Sequence, residues 1–248
     1  MEQWKNRVAV VTGSSSGIGA QVAKDLAKHN ITVAALARRE ELLNEVKKSL
    51  PIEYQKNFHC FQCDVTDFVK VQKTFELIEK NFGGIDILIN NAGVVRPGNL
   101  VTMDRSNISE IINTNVTAIT DCTRLAFKSM KERNVNGHVI LINSIAGHKV
   151  LNFGSEIDVS LNFYTASKFA VTAMTETYRQ EFYQLGTKVK ISSVSPGLVK
   201  TEMTGNQMET NTNYLEPEDV SNAIMYILST PPNVQVHELT IKPLGEPF

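Results

Sequence analysis

The 248-residue chain predicts an α/β fold, a doubly wound parallel sheet with helices on both faces. Three observations predict it. Short, nearly continuous apolar runs recur from one end to the other, as strands buried on both faces require. Longer amphipathic stretches separate them, as crossover helices do. The first apolar run passes straight into a glycine-containing turn, 12–19 (TGSSSGIG), and then into a helical pattern.

In chain order, the strands read as 8–12 (VAVVT), 31–36 (ITVAAL), 58–63 (FHCFQC), 87–90 (ILIN), 139–142 (VILI) and 189–194 (VKISSV). A last strand at 236–241 (VHELTI) closes the sheet edge. Between them 18–28, 40–50, 69–82, 106–133 and 164–185 are longer and amphipathic, so they read as helices. Pro217 opens one more, with Glu218 and Asp219 in its first turn where the helix dipole favours acids. Segments 145–163 and 197–216 fit neither pattern. Both follow the carboxyl end of a strand, where open α/β sheets bind ligands, and long loops in such places are usually functional. With no linker, repeat or low-complexity segment, residues 1–248 are expected to form one domain.

Composition narrows the function. Hydrophobic residues at 42% and charged ones at 21% are those of a globular protein, and a net charge of -1 offers nucleic acid or an anionic membrane nothing to bind. No run is long and apolar enough to span a bilayer, and the N-terminus, MEQWKNRVAVV, lacks signal-peptide character. Cys60 and Cys63 form a C-x-x-C, but on a strand these positions point to opposite faces and no second pair completes a zinc site. They read as packing residues in a reducing, cytoplasmic compartment. The histidines at 29, 59, 138, 148 and 237 show no metal-ligand spacing and are expected at the surface or in loops.

The turn at 12–19 carries the first functional signal. Gly13, Gly17 and Gly19 permit a tight turn, close approach of a pyrophosphate and close packing of helix on strand. The amides from Ser14, Ser15 and Ser16 to Ile18 lie at the helix start, a ready anion site. The second signal is YTASK at 164–168, where Tyr164 and Lys168 share a helix face one turn apart. Together with Asp64 in CDVTD, NNAG at 90–93, Asn115 in INTNV, Ser144 in LINS and PGLVKT at 196–201, these motifs resemble the short-chain dehydrogenases/reductases over essentially the whole chain. The glycine spacing, G-x3-G-x-G, is that of this family rather than of the long-chain dehydrogenases.

The resemblance implies a Rossmann-type fold, a nicotinamide nucleotide and the tetrad Asn115, Ser144, Tyr164 and Lys168. Tyr164 would exchange a proton with the substrate oxygen, which Ser144 would hold. Lys168 would bond the nicotinamide ribose, and Asn115 would hold a water that links Lys168 to solvent. A free phenol with a pKa of about 10 is a poor base, so the Lys168 ammonium and an oxidised nicotinamide are expected to favour the phenolate. Asp64 would accept from the adenine amine with Val65 packed on the ring. Asn91 and Ala92 would line the ribose, Asn90 would tie strands together, and Pro196, Gly197, Val199 and Thr201 would border the nicotinamide, Thr201 bonding its carboxamide.

NAD-preferring relatives carry an acid at the end of the second strand. Here Ala37 takes that place, followed by Arg38 and Arg39, whose guanidinium groups suit the 2′-phosphate of NADP(H) unless Glu40 and Glu41 neutralise them. Ser144 and Tyr164 stand further apart than in commoner family members. The residues between them add Val150, Leu151 and Phe153, and with Val94, Val95, Ile145, Leu198 and Met203 these are expected to line an apolar cleft, Met208 forming a lid. NAGVVRPGNL, MKERNVNGHVILINSIAGHKV and the C-terminal segment resemble the branch of the family that holds the insect farnesol dehydrogenases and their vertebrate counterparts. That implies a bulky apolar alcohol or carbonyl as substrate: a farnesol-like terpenoid first, a ketosteroid, ecdysteroid or retinoid as the alternative. A catalytically silent nucleotide-binding regulator is the competing class, disfavoured by the complete tetrad. Surplus apolar and small residues on helices 106–133 and 164–185 suggest a homodimer or homotetramer.

Overall fold

The structure, a computed structural model, describes residues 1–151, 161–208 and 213–246. The strands are β1 (Val8–Thr12), β2 (Thr32–Ala37), β3 (Phe58–Gln62), β4 (Ile87–Asn90), β5 (His138–Ile142), β6 (Lys190–Pro196) and β7 (Glu238–Ile241). All pair in parallel, in the order β3-β2-β1-β4-β5-β6-β7. Strand order reverses between β1 and β4, so the crevice outside their carboxyl ends is where a doubly wound sheet takes its ligand.

The helices are α1 (Gly17–Lys28), α2 (Glu40–Lys48), α3 (Ile52–Gln55), α4 (Phe68–Phe82), α5 (Arg105–Ile112), α6 (Ala118–Glu132), α7 (Asn162–Gln184) and α8 (Pro217–Ser229). One core layer packs Val22, Leu26, Val220, Ile224 and Ile227 of α1 and α8 against Ala9, Val11 and Val33 of the sheet. The other packs Val71, Phe75, Ile119, Met130 and Val171 of α4, α6 and α7 against Val8, Val10 and Val139. Successive strand residues thus serve opposite layers, which is why the strands read as unbroken apolar runs. Cys63 lies in the second layer and Cys60 packs against the first, as their spacing on an extended chain requires. Local chemistry fixes the helix ends. The Asp67 side chain accepts from the Lys70 amide at 3.0 Å to start α4, and Gly83 ends it at φ 83°.

The expected helices differ from the observed ones in two places. Pro51 stops α2 early, and the chain restarts as the single turn α3. The stretch 106–133 is helical almost throughout but not uniform: a π turn at Asn113–Thr117 lies between α5 and α6. Such wide turns interrupt the regular ladder and are frequent at functional sites. His138 is a correction as well. It stands at the start of β5, only 1% exposed, with Nε2 2.8 Å from Ser192 Oγ, and burial first, then Lys190, depresses its pKa to about 3. Nothing local marks a histidine on a central strand as interior. No described helix is long and apolar enough to cross a membrane.

Candidate active site

The carboxyl ends of β1, β4, β5 and β6 converge on the switch point. Gly13 leaves β1 at φ 67°, in the left-handed region, and a Cβ there would come within 2.9 Å of the Ala92 Cα. A Cβ on Gly19 would clash with Asn91 Nδ2 and the Gly13 carbonyl. The turn is therefore pressed against the end of β4, and a bracket of hydrogen bonds holds it there. Thr12 Oγ1 accepts from the amides of Asn91 and Ala92, both at 3.0 Å. Asn91 Nδ2 donates to the carbonyls of Thr12 and Gly13 at 2.9 and 3.1 Å. Asn91 is thus a brace for the glycine turn. Asn90 ties β4 to a helix rather than to another strand, donating to Thr123 Oγ1 on α6 at 3.0 Å.

The three serines of the turn divide. Ser14 is fully buried, its hydroxyl donating to the Val11 carbonyl at 2.6 Å and its amide to the Leu36 carbonyl at 3.1 Å, so it holds the loop and has no donor left for a phosphate. Ser15, Ser16 and Ile18 keep partly open positions at the α1 N-terminus. The glycine cradle and this helix start fit a dinucleotide pyrophosphate. Asp64, whose carboxylate accepts from Thr66 N and Oγ1 at 3.0 and 2.8 Å, and the buried Val65 stand after β3 beyond this turn.

At the ends of β2 and β6 an unforeseen pair forms. Arg39 grips Glu202 with two hydrogen bonds of 2.8 and 2.7 Å and lies 3.4 Å from Ser15 Oγ. Its acidic partner is therefore not Glu40 or Glu41, which project from the start of α2. Among the described residues, the exposed Arg38 guanidinium makes no hydrogen bond or ion pair.

The proton-handling residues lie on the other side of the switch point. The π turn brings Asn115, 1% exposed, against the chain after β4, where Oδ1 accepts from the Val94 amide at 2.8 Å and Nδ2 donates to the Val94 carbonyl at 2.9 Å. Nδ2 also reaches Ser167 Oγ at 3.1 Å, a connection to α7 that the motifs did not announce, although Ser167 sits inside YTASK. Ser144 follows β5, accepts from the Ala146 amide at 3.1 Å and stands beside the Tyr164 phenol. Lys168, 6% exposed, donates from Nζ to the Ile142 carbonyl at 2.7 Å and stands 5.5 Å from the centre of the Tyr164 ring.

Burial dominates the electrostatics of Tyr164 and Lys168. Burial pushes the Tyr164 phenol up to about 12, and the Ser144 hydrogen bond offsets only part of this. Burial pulls Lys168 down to about 8. Dehydration therefore sets the direction of both shifts.

The expected cleft is only partly assembled. Val94, Val95, Leu151 and Leu198 are half-buried near the site. Ile145 is 5% exposed and so packs inward, while Val150 at 77% and Met203 at 45% face solvent and do not line an enclosed pocket. Phe153 and the Met208 side chain lie outside what the structure describes. The Val199 side chain belongs to the core layer that contains α8. Pro196 is buried, Gly197 is packed against the Glu246 carboxylate, and Thr201 sits above Gly17 with its amide donating to Thr204 Oγ1 at 3.0 Å.

A family model described as short chain dehydrogenase matches residues 7–212. The chain belongs to the short-chain dehydrogenase/reductase family. It is an oxidoreductase of that family, whose members bind NAD(P). Farnesol dehydrogenase of Aedes aegypti is 46% identical to it over 250 residues, covering 100% of both chains. Dehydrogenase/reductase SDR family member 11 of Homo sapiens is 39% identical, covering 98% of this chain and 96% of its own length. Among solved short-chain dehydrogenase/reductase structures, the closed form of serine dehydrogenase complexed with NADP+ matches with a TM-score of 0.87 at 28% identity, over 97% of this chain and 96% of the other.

Proposed function

We propose that the chain, acting as one domain over residues 1–248, is an NADP(H)-dependent oxidoreductase that interconverts a hydroxyl and a carbonyl on a bulky apolar substrate. The observation that carries the reading is that Tyr164 and Lys168 sit together on α7 with Ser144 beside Tyr164, and that Asn115 is bonded to the same helix. The nicotinamide, when bound, supplies the hydride chemistry and, in its oxidised form, a positive charge that favours the phenolate.

The chain's own residues do the rest. The α1 N-terminus and Ser15, Ser16, Gly17 and Gly19 hold the pyrophosphate, Asp64 and Val65 the adenine, and Arg38 and Arg39 the 2′-phosphate. Ser144 fixes the substrate oxygen within reach of the Tyr164 hydroxyl. A phenol with a pKa of about 12 is fully protonated at neutral pH and serves as the proton donor for carbonyl reduction. For alcohol oxidation the same group must give up its proton first, and Lys168, at about 8 still largely charged at pH 7, supplies the neighbouring charge. Asn115 anchors the backbone at Val94 and, through Ser167, the first turn of α7 that carries Tyr164.

Farnesol-like terpenoids are the first choice of substrate, on the strength of the Aedes aegypti relative and the apolar residues at 94, 95, 151 and 198. We further infer a homodimer or homotetramer. The α6 and α7 surface carries a groove of about 390 Å³ lined by Thr120, Arg124, Met174 and Tyr178, with Phe169 42% exposed nearby on α7. The free Cys60, Cys63 and Cys122 suit a reducing cytoplasm.

Tyr164→Phe tests the reading. The ring keeps its packing and loses only the hydroxyl, so nucleotide affinity should hold within about threefold while kcat falls by at least about a hundredfold. Activity within tenfold of the parent would remove Tyr164 from the proton-transfer role.

A further inference from the structure

We propose that Glu202 is a specificity-determining residue for the nucleotide: its carboxylate occupies Arg39 in place of a 2′-phosphate and must be displaced before a 2′-phosphorylated nucleotide can use that arginine. The inference rests on the proposed use of NADP(H).

The geometry is that of an anion site filled from within the chain. The two Glu202 oxygens accept from the two terminal nitrogens of Arg39 at 2.8 and 2.7 Å, the fork geometry with which arginine also binds a phosphate. Oε2 further accepts from the hydroxyl of Ser16, at the N-cap position of α1, at 3.1 Å. Ser15 Oγ lies 3.4 Å from the same guanidinium. One carboxylate thus draws on the arginine and on a serine hydroxyl beside the α1 N-terminus.

Its tether explains why it reaches so far. Thr201 lies over the glycine turn, with Cγ2 3.0 Å from the place a Cβ on Gly17 would take, and its amide is fixed by Thr204 Oγ1. The chain after β6 therefore bridges the crevice and delivers Glu202 to the far side, against residues more than 160 positions earlier. Arg39 and Ser16 hold the Glu202 carboxyl down to about 2, so it remains an anion at any working pH and the competition is not pH-gated. A nucleotide with a free ribose 2′-hydroxyl can leave the Arg39–Glu202 pair in place. One with a 2′-phosphate brings a second anion to Arg39 and must break it. The latch therefore narrows the preference for NADP(H) over NAD(H) that Arg38 and Arg39 create. Both partners are about half exposed, at 47% and 60%, so the effect is bounded at about fivefold, about 1 kcal/mol for a pair in that setting.

The test is calorimetric titration of the full chain with 2′,5′-ADP and with 5′-AMP, which differ only in the 2′-phosphate. Glu202→Gln should bind 2′,5′-ADP about three- to fivefold more tightly than the parent and 5′-AMP within twofold of it. Arg39→Ala should lose the gain. An unchanged affinity of Glu202→Gln for 2′,5′-ADP, in a parent that prefers 2′,5′-ADP through Arg39, overturns the latch alone. An equal gain for both ligands overturns it too, since the carboxylate would then compete with some other part of the nucleotide. If parent and Glu202→Gln alike bind 2′,5′-ADP no better than 5′-AMP, the NADP(H) reading falls with it.

Discussion

Lys168 should make this protein's stability rise between neutral and mildly alkaline pH, and Lys168→Met should abolish that rise. Lys168 is buried, and among the described residues Nζ donates to the Ile142 carbonyl at 2.7 Å. Its pKa falls from 10.5 to about 8 on folding, so the folded state holds the proton less firmly than the unfolded state. The stability that accompanies a depressed pKa is present above the unfolded value and lost as pH falls through the folded one. At pH 7 nearly the whole penalty applies, about 3 kcal/mol; by about pH 9.5 only about 1.4 kcal/mol is left. The parent should therefore gain about 2 kcal/mol relative to Lys168→Met between those pH values, about 4–8 °C in Tm for a chain of this size. Urea unfolding of both nucleotide-free proteins at the two pH values measures it, and taking the difference cancels every other titrating group. Stability at pH 7 alone is not diagnostic, because losing the ammonium also removes the Nζ donor from the Ile142 carbonyl; the change with pH is. Parallel pH profiles for the two proteins would refute the reasoning and show that the ammonium keeps its hydration.

Three further outcomes are expected. Gly19→Ala places a methyl against Asn91 Nδ2 and the Gly13 carbonyl, so nucleotide affinity should fall at least about tenfold and stability by about 1–3 kcal/mol; unaltered titration and melting curves would show that the brace yields freely. Each methylene added to a primary alcohol should raise kcat/KM by about fourfold until the chain outgrows the cleft, at about 0.8 kcal/mol per buried methylene, and a flat series or a preference for sugars would show that no apolar pocket forms. Light scattering at micromolar concentration should report a multiple of the 27.6 kDa chain mass, and Tyr178→Glu on the α6 and α7 surface should lower it; a monomeric parent would leave that groove without its proposed role.

What the sequence determined by itself is what short-range physics controls. Apolar runs placed the strands within about two residues of their observed bounds, because strands buried on both faces are predominantly apolar. TGSSSGIG announced a tight turn pressed on a neighbouring strand, since only glycine tolerates the backbone at 13 and the contact at 19. YTASK put Tyr164 and Lys168 on one face through helical periodicity alone. Tertiary structure decided whatever depends on groups far apart in the chain. No local pattern links Arg39 to Glu202, which the crossing of the crevice by the chain after β6 brings together. The inward turn of Ser14, Ile145 and Val199 and the burial of His138 follow from which neighbours cover them. So does the π turn that carries Asn115 to Val94 and Ser167. The sign of the shift at Tyr164 belongs here too. A charge four residues away is visible in the sequence, but the loss of water around both groups is a sum over every element packed on them, and in this protein that sum is the larger effect.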